Sequence, residues 1–448
     1  MDHSTLSNNQ TQNNGGGLFV AASGTASLTN CIVSGNSTQS TSGGYGGGGV
    51  YSRGTTSLAN STVSGNTAAK RGGGVYVSYG TTTLTNVTVS GNSANYGGGL
   101  EFYQGTVTLT NVTISGNSAT ASGGGVWNQN SVNSTFKNTI VAGNTKTSGA
   151  SDLEGRPVSG TYNLIGTGGS GGLVNGVGNN QVGVANALLA PLANYGGPTQ
   201  TMALLPGSLA IDTGTSTGAP GTDQRGSGRV GLTDIGAFES QGFTLATVAG
   251  STPQSTIVTT PFTNPLVVTV TANNPAEPVN GGVINFNVPL IGASATLSSS
   301  SSSINTSQAS VIATANGLAG SYDVTAATRG AASFNFSLTN IAQVVLSGLG
   351  NVVTYTQGGS PVAVAPTIVV TGNLGQNIAS ATIVFSNVQL GDRFSFDNQF
   401  ALQHTYVEDI PNQTATLTLT GVDTPANYQT TLRSILVWNV ASIILATF

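Results

Sequence analysis

The 448-residue sequence predicts an all-β chain, a parallel β-helix followed by two small β-sandwiches. Three observations predict it. A glycine run and an asparagine-ended motif recur together through the first third of the chain. Thr, Val, Ser, Asn and Gly, the residues of strands and turns, are abundant, while the helix formers Lys, Glu and Met are scarce. After Ser240 the repeat stops and short β-branched alternations take over.

The β-helix comes first. Gly15-Gly16-Gly17-Leu18, Gly47-Gly48-Gly49-Val50, Gly72-Gly73-Gly74-Val75, Gly97-Gly98-Gly99-Leu100 and Gly123-Gly124-Gly125-Val126 form one series. Variants of Leu-Thr-Asn-x-x-Val-Ser-Gly-Asn form the other, ending at Asn36, Asn66, Asn92, Asn117 and Asn144, with a degenerate copy ending at Asn9. Their spacings are 27, 30, 26, 25 and 27 residues. A period of this size fits one three-strand coil, which cannot bury its apolar face alone and stacks on the next about 4.8 Å away. Stacking sets equivalent residues in columns. Leu28, Leu58, Leu84, Leu109 and Phe136, and Val33, Val63, Val89, Ile114 and Val141, are expected to line the interior. Asn30, Asn60, Asn86, Asn111 and Asn138, with the motif-ending set, suit tight corners, because Asn tolerates the left-handed conformation and stacked amides bond along a column. Asn60-Ser61-Thr62, Asn86-Val87-Thr88 and Asn111-Val112-Thr113 also fit a glycosylation acceptor, but the repeat itself accounts for them. No helical apolar period supports a helical solenoid, and no Asp follows each glycine pair as a calcium-binding nonapeptide roll requires.

These repeats resemble those of bacterial right-handed parallel β-helix surface proteins, polymorphic outer membrane protein repeats among them. Downstream, Asp152-Leu153-Glu154-Gly155, Asn163-Leu164-Ile165-Gly166, Gly196-Gly197-Pro198-Thr199-Gln200-Thr201, Thr222-Asp223-Gln224-Arg225-Gly226 and Asp234-Ile235-Gly236-Ala237-Phe238-Glu239 resemble the terminal module of choice-of-anchor Q proteins. The resemblance implies one right-handed parallel β-helix over residues 1–240, with repeats in 1–150 and a closing segment in 151–240. It also implies a secreted or surface-displayed bacterial protein.

The sandwiches follow. Leu266-Val267-Val268-Thr269-Val270 and Val283-Ile284-Asn285-Phe286-Asn287-Val288 read as strands between Pro, Gly, Asn and Ser turns, and the serine run 298–303 as a loop. Residues 243–340 resemble bacterial immunoglobulin-like repeats. Residues 341–448, through Ser347-Gly348-Leu349-Gly350, Leu417-Thr418-Leu419-Thr420-Gly421 and the stretch from Tyr428 to Ile435, resemble a cadherin-like repeat that is cut short. Calcium is the ligand such a resemblance implies at acidic junctions, but the turn at 371–377 has no carboxylate, so no high-affinity site is expected there. Both ends read as cut: the repeat is already running at Ser4, and the apolar run from Ser434 to Phe448 has no domain after it.

Composition narrows the partners. Lys and Arg number 11 and Asp and Glu 15, so charged residues are 6% of the chain, against about 25% in a typical soluble domain. A net charge of −4 leaves no basic footprint for nucleic acid or an anionic membrane. The lone Cys31 rules out an intrachain disulfide and reads as a small buried hydrophobe. No signal peptide opens the chain, and the longest apolar stretch, interrupted by Asn439 and Ser442, is too short for a membrane span.

Two residue groups stand out. The position after each Gly-Gly-Gly-[Val/Leu], occupied by Phe19, Tyr51, Tyr76, Glu101 and Trp127, alternates with an inward residue and is expected as an outward column. Such a column stacks on sugar rings or a partner, or merely stiffens the face. The second group, Asp212, Asp223, Arg225, Arg229, Asp234 and Glu239, reads as ion pairs closing the helix end or as a cation or acidic-sugar site, calcium being the cation. No catalytic residue, metal site or cofactor is assigned. Glycoside hydrolysis needs two carboxylates, and between His3 and Ser151 the coils hold only Glu101; His3 and His404 sit in no triad context. The expected function is that of a non-catalytic, extracellular or cell-surface structural or adhesive protein. Its expected partner is a polysaccharide or a host or matrix surface, with no nucleic acid and no membrane insertion. The alternative is a polysaccharide lyase or glycoside hydrolase of β-helix type.

Overall fold

The computed structural model of the protein describes residues 1–42, 45–130, 133–348, 353–372, 377–398, 400 and 402–439. Of the sequence expectations, those on Leu349-Gly350, on residues 373–376 of the junction turn and on the run 440–448 lie outside the described residues. From Thr5 to Val182 the chain winds into a parallel β-solenoid of three sheets, with 11, 6 and 7 strands. One coil runs Val75–Val77, Thr81–Ser90 and Ser93–Tyr96, a strand in each sheet. Its residues pair in register with both neighbours, so that Leu84 lies between Leu58 and Leu109, and Val89 between Val63 and Ile114. All six are buried, and the apolar columns are the solenoid core.

The two asparagine sets divide the work expected of both. Asn30, Asn60, Asn86, Asn111 and Asn138 take left-handed conformations, φ 47 to 53°, and bend the long strands of the first sheet. At the other corner the left-handed residue is the glycine before the motif-ending asparagine, for example Gly91 at φ 67°. The asparagine is thereby free to turn inward. There Asn36 Nδ2 donates to Asn66 Oδ1, Asn66 to Asn92 and Asn92 to Asn117, each at 2.9 Å. The backbone N–H of each donates to the same oxygen, and the second amide hydrogen reaches a carbonyl one coil back, Val63 O for Asn92 at 3.0 Å. Every rung donates in one direction along the axis. The ladder stops at Asp152, whose Oδ1 accepts from the N–H and Nδ2 of Asn144 and whose Oδ2 accepts from Gly168 N at 2.9 Å. A carboxylate suits this end because it only accepts.

The glycine runs close the same corner. Gly72 holds φ 53°, a Cβ on Gly73 would lie 2.4 Å from Gly98 O, and one on Gly74 would lie 2.6 Å from Gly99 O. Any side chain there would hold the coils apart.

Past Val182 the chain departs from a simple closing of the helix end. Residues 195–240 lie across four coils on the outside of the first sheet, forming a strap. Thr199 Oγ1 donates to Asn60 O at 3.0 Å, Asn86 Nδ2 to Thr222 O at 2.9 Å and Ala237 N to Thr113 Oγ1 at 3.0 Å. Gln224 bridges two coils, donating to Thr62 Oγ1 at 3.1 Å and accepting from Thr88 Oγ1 at 2.6 Å. The threonines of the three glycosylation-like triplets are docking points for this strap, and all three are buried.

Next come two main sheets. Phe243–Thr247, Leu266–Ala272 and Gln308–Val311 form one; Gln254–Ile257, Phe334–Ile341, Gly320–Ala327, Val283–Asn287 and Ser301–Ser303 form the other. The serine run expected to be a loop therefore contributes an edge strand, because pairing with Val283–Asn285 outweighs the weak strand preference of serine. The change of pattern at Ser240 is no boundary in packing: Leu205, Ile211 and Phe238 of the strap share one apolar cluster with Phe243, Val268, Phe286 and Phe336. The last unit has antiparallel sheets of two, three and three strands. It also has a helix the sequence did not reveal, Pro425–Arg433, inside the stretch likened to a cadherin repeat. Thr424 caps it by accepting from Asn427 N at 3.2 Å, proline begins it, and Tyr428 and Leu432, one turn apart, are buried.

Replacing Asn92 by Leu removes the oxygen that Asn66 N and Asn66 Nδ2 share and one of the two donors to Asn117 Oδ1, and it leaves Val63 O without its amide donor. A buried unsatisfied group costs about 1–3 kcal/mol, so the expected loss is on the order of 4 kcal/mol. It is read as a lower urea midpoint at unchanged slope, with exposed Asn13→Ala as the neutral control. Asp152→Asn sets an amide against Gly168 N–H and is expected to lower the midpoint as well.

Candidate functional site

The predicted column stands in register. Phe19, Tyr51, Tyr76, Glu101 and Trp127 occupy successive strands of the second sheet, and Glu154 extends the series by one coil. Glu154 escaped notice because Ser151-Asp152-Leu153 replaces the glycine signature in its coil. Ring centroids lie 5.4 Å apart for Phe19 and Tyr51 and 5.1 Å for Tyr51 and Tyr76. The column is not the open stripe that alternation alone suggested. Phe19 is 46% exposed and Trp127 half-buried, whereas Tyr51, Tyr76 and Glu101 are buried. Side chains from the adjoining corner fold over the middle coils. The Arg71 guanidinium carbon lies 5.8 Å from the centres of both the Tyr76 and Tyr103 rings, and the Arg71 Nη1 donates to Glu101 Oε1 and to Gln129 Oε1. Tyr96 leans on Trp127 at 6.3 Å, and Tyr79, 43% exposed, stacks edge-on with Tyr103 at 6.2 Å beside Arg53.

Both acids of the column are engaged. Burial pushes the Glu101 carboxyl up to about 8, outweighing the opposing pull of Arg71, and pushes the Tyr76 hydroxyl up to about 12. Glu154 accepts from Lys146 Nζ at 2.6 Å, Ser151 Oγ at 3.0 Å and Gly123 N at 3.2 Å.

The acidic group lies within the strap, where it meets the first sheet unit after the solenoid. Arg225 is its centre. Nε donates to Asp223 Oδ2 at 2.8 Å, Nη1 to Glu277 Oε1 at 3.1 Å and Nη2 to the Glu239 carbonyl at 2.5 Å, while the guanidinium lies 3.7 Å from the Phe238 ring centre. Arg229 Nη1 pairs with Glu239 Oε2 at 2.6 Å. Backbone N–H groups take up the remaining oxygens: Asp234 accepts from Asp212 N and Ser240 N at 2.7 Å each, and Asp223 Oδ1 from Arg225 N and Ser227 N. The structure brings together Asp223, Arg225, Arg229, Asp234 and Glu239. It sets the Asp212 side chain on the surface, accepting from Leu232 N, and adds Glu277 from the following sheet unit, which no local motif marks. Burial raises Asp234, Glu239 and Glu277 above the ordinary carboxylate range, Asp234 further through the nearby charge of Glu239. With donors on every side, this arrangement holds loops together. Among the described residues, no three His, Cys, Asp or Glu side chains are grouped to hold a metal ion. His3 pairs with Asp2 on the surface, His404 lies exposed against Phe396, and Cys31 is buried.

The repeat model of the Chlamydia polymorphic membrane protein family matches residues 60–78 and 111–129. Each match spans a left-handed asparagine, a ladder asparagine and a glycine run. No curated protein matches the chain significantly. Among solved structures, FdeC, described as a broadly conserved Escherichia coli adhesin eliciting protection against urinary tract infections, aligns at 14% identity with a TM-score of 0.21. The alignment covers 45% of this chain and 63% of that one. Among the described residues, no helix is long and apolar enough to cross a membrane.

Arg225→Ala leaves Asp223 and Glu277 buried without their cation, and the expected loss is about 3–5 kcal/mol, seen as a lower melting temperature. For Glu101 the folded state binds its proton more tightly than the unfolded chain, so its stabilising contribution is present below the usual Glu value and is lost as pH rises through about 8. Glu101→Gln is expected to flatten the fall in melting temperature across that interval. Equal slopes for both proteins would contradict this.

Proposed function

We propose that this is a non-catalytic structural and adhesive protein of the bacterial surface, whose solenoid presents an aromatic-edged face to polysaccharide. The observation that carries the reading is the in-register aromatic column, with Phe19 open at one end, Trp127 half-open at the other and Tyr79 beside Arg53 at its flank. Aromatic faces stack on the apolar faces of sugar rings, and arginine serves sugar hydroxyls or carboxylates. The match to polymorphic membrane protein repeats supports a surface setting. A lyase or hydrolase is the less favoured reading, because the carboxylates nearest this face, Glu101 and Glu154, are each held by a cation. The two sheet units after the solenoid, likened to immunoglobulin-like and cadherin-like repeats, serve in this reading as spacers.

A glycan array is expected to show binding that falls at least severalfold in Phe19→Ala and Tyr79→Ala, on the scale of one lost stacking contact of about 1 kcal/mol or more. Silence across the array would leave a purely structural role. Incubation with neutral and acidic polysaccharides is expected to yield no shortened products; products abolished by Glu101→Gln or Glu154→Gln would establish the enzyme reading instead.

A further inference from the structure

A second face of the solenoid is open and differs in chemistry from the aromatic one. Each long strand of the first sheet is bent at its left-handed asparagine. The half after the bend lies under the strap, whereas the outer side of the half before it faces solvent. On two adjacent strands that outer side reads Thr81, Thr83, Thr85 and Thr106, Thr108, Thr110, paired one to one without a bulge. The inward neighbours Leu84 and Leu109 are buried, which locks the alternation. The two preceding strands, at residues 25–29 and 55–59, carry Thr or Ser at every equivalent position except Ala59. Among the described residues, these hydroxyls make no side-chain hydrogen bond, and the charged residues of the face stand at its two ends, Asp2 beside Thr29 and Lys137 beside Thr110.

The result is a two-dimensional lattice of hydroxyl groups, with identical threonine methyls beside them on the two central strands. Its repeat is about 4.8 Å from coil to coil and about 6.7 Å, two residues of rise, along each strand. We propose that this face binds ice. Oxygen atoms on the prism face of ice repeat in two perpendicular directions with nearly these periods, so waters ordered between the threonine methyls and bonded to their hydroxyls are already placed as a layer of the crystal. The hydroxyls lie on backbone held by the core on its other side, so little conformational freedom is lost on binding. A polysaccharide is a poorer match for this face, which presents no ring to stack on; the shaft's aromatic column belongs to the second sheet. The inference is independent of the glycan reading.

The test is partition of the purified full chain into a slowly growing ice hemisphere, together with thermal hysteresis. The wild-type chain is expected to enter the ice and to shape the crystals. Thr83→Tyr combined with Thr108→Tyr should abolish both effects while leaving the far-UV spectrum and melting temperature unchanged, and Phe19→Ala should leave both effects intact. Thr83→Lys, a single change, serves if the double variant does not fold, with loss again expected. Exclusion of the folded wild-type chain from ice overturns the proposal, as does full ice activity in a folded variant. Binding to crystalline cellulose or chitin without binding to ice overturns it too.

Discussion

Vertical register between coils is the constraint on which everything else rests, and the internal asparagine ladder enforces it. Each rung satisfies a buried backbone N–H and a buried amide with one oxygen of the next coil, so slippage by a single residue would strand several polar groups at once. The apolar columns supply most of the burial, but Leu, Val and Ile pack nearly as well when shifted. Directional bonds do not. The ladder also has a polarity, donor toward the C-terminal end, and that polarity explains why its last member is the carboxylate of Asp152.

Low charge goes with an inner role for part of the charge there is. A shaft with outward rows of Thr, Ser and Asn remains hydrated with few ions, and although Arg53, Arg156, Asp323 and Glu408 lie exposed, several of the Arg, Asp and Glu residues act inside. They are concentrated where irregular backbone must be held: Arg71 and Glu101 at the corner over the second sheet, and Arg225, Asp223 and Glu277 where strap, solenoid and sandwich meet. Losing one partner of a buried pair leaves a bare charge in an apolar setting, so breaking it costs more than the intact pair adds. The joint between the solenoid and the sheet unit after it is a shared core with an ionic clamp rather than a linker.

Much of the coil was legible in the amino-acid order. Repetition alone aligned Leu84 with Leu58 and Leu109, and it put Phe19, Tyr51, Tyr76, Glu101 and Trp127 in one file. It did not reveal that the file is roofed in the middle, since the roof is Arg71, a residue outside the repeating motif whose reach depends on the corner it starts from. The helix Pro425–Arg433 was obscured by β-branched flanks and a run of polar residues, although its Thr-Pro start was a usable signal.

The order of residues by itself determined the period, the inward and outward alternation and the corner chemistry, because these depend on neighbours a fixed number of positions apart. Tertiary structure alone decided where the strap lies, which acids meet which arginines, and which outward faces stay open. Gln224 finds Thr62 across 162 residues and Arg225 finds Glu277 across a change of fold. Such meetings carry no local pattern, since they follow from how preformed surfaces pack rather than from any spacing along the chain.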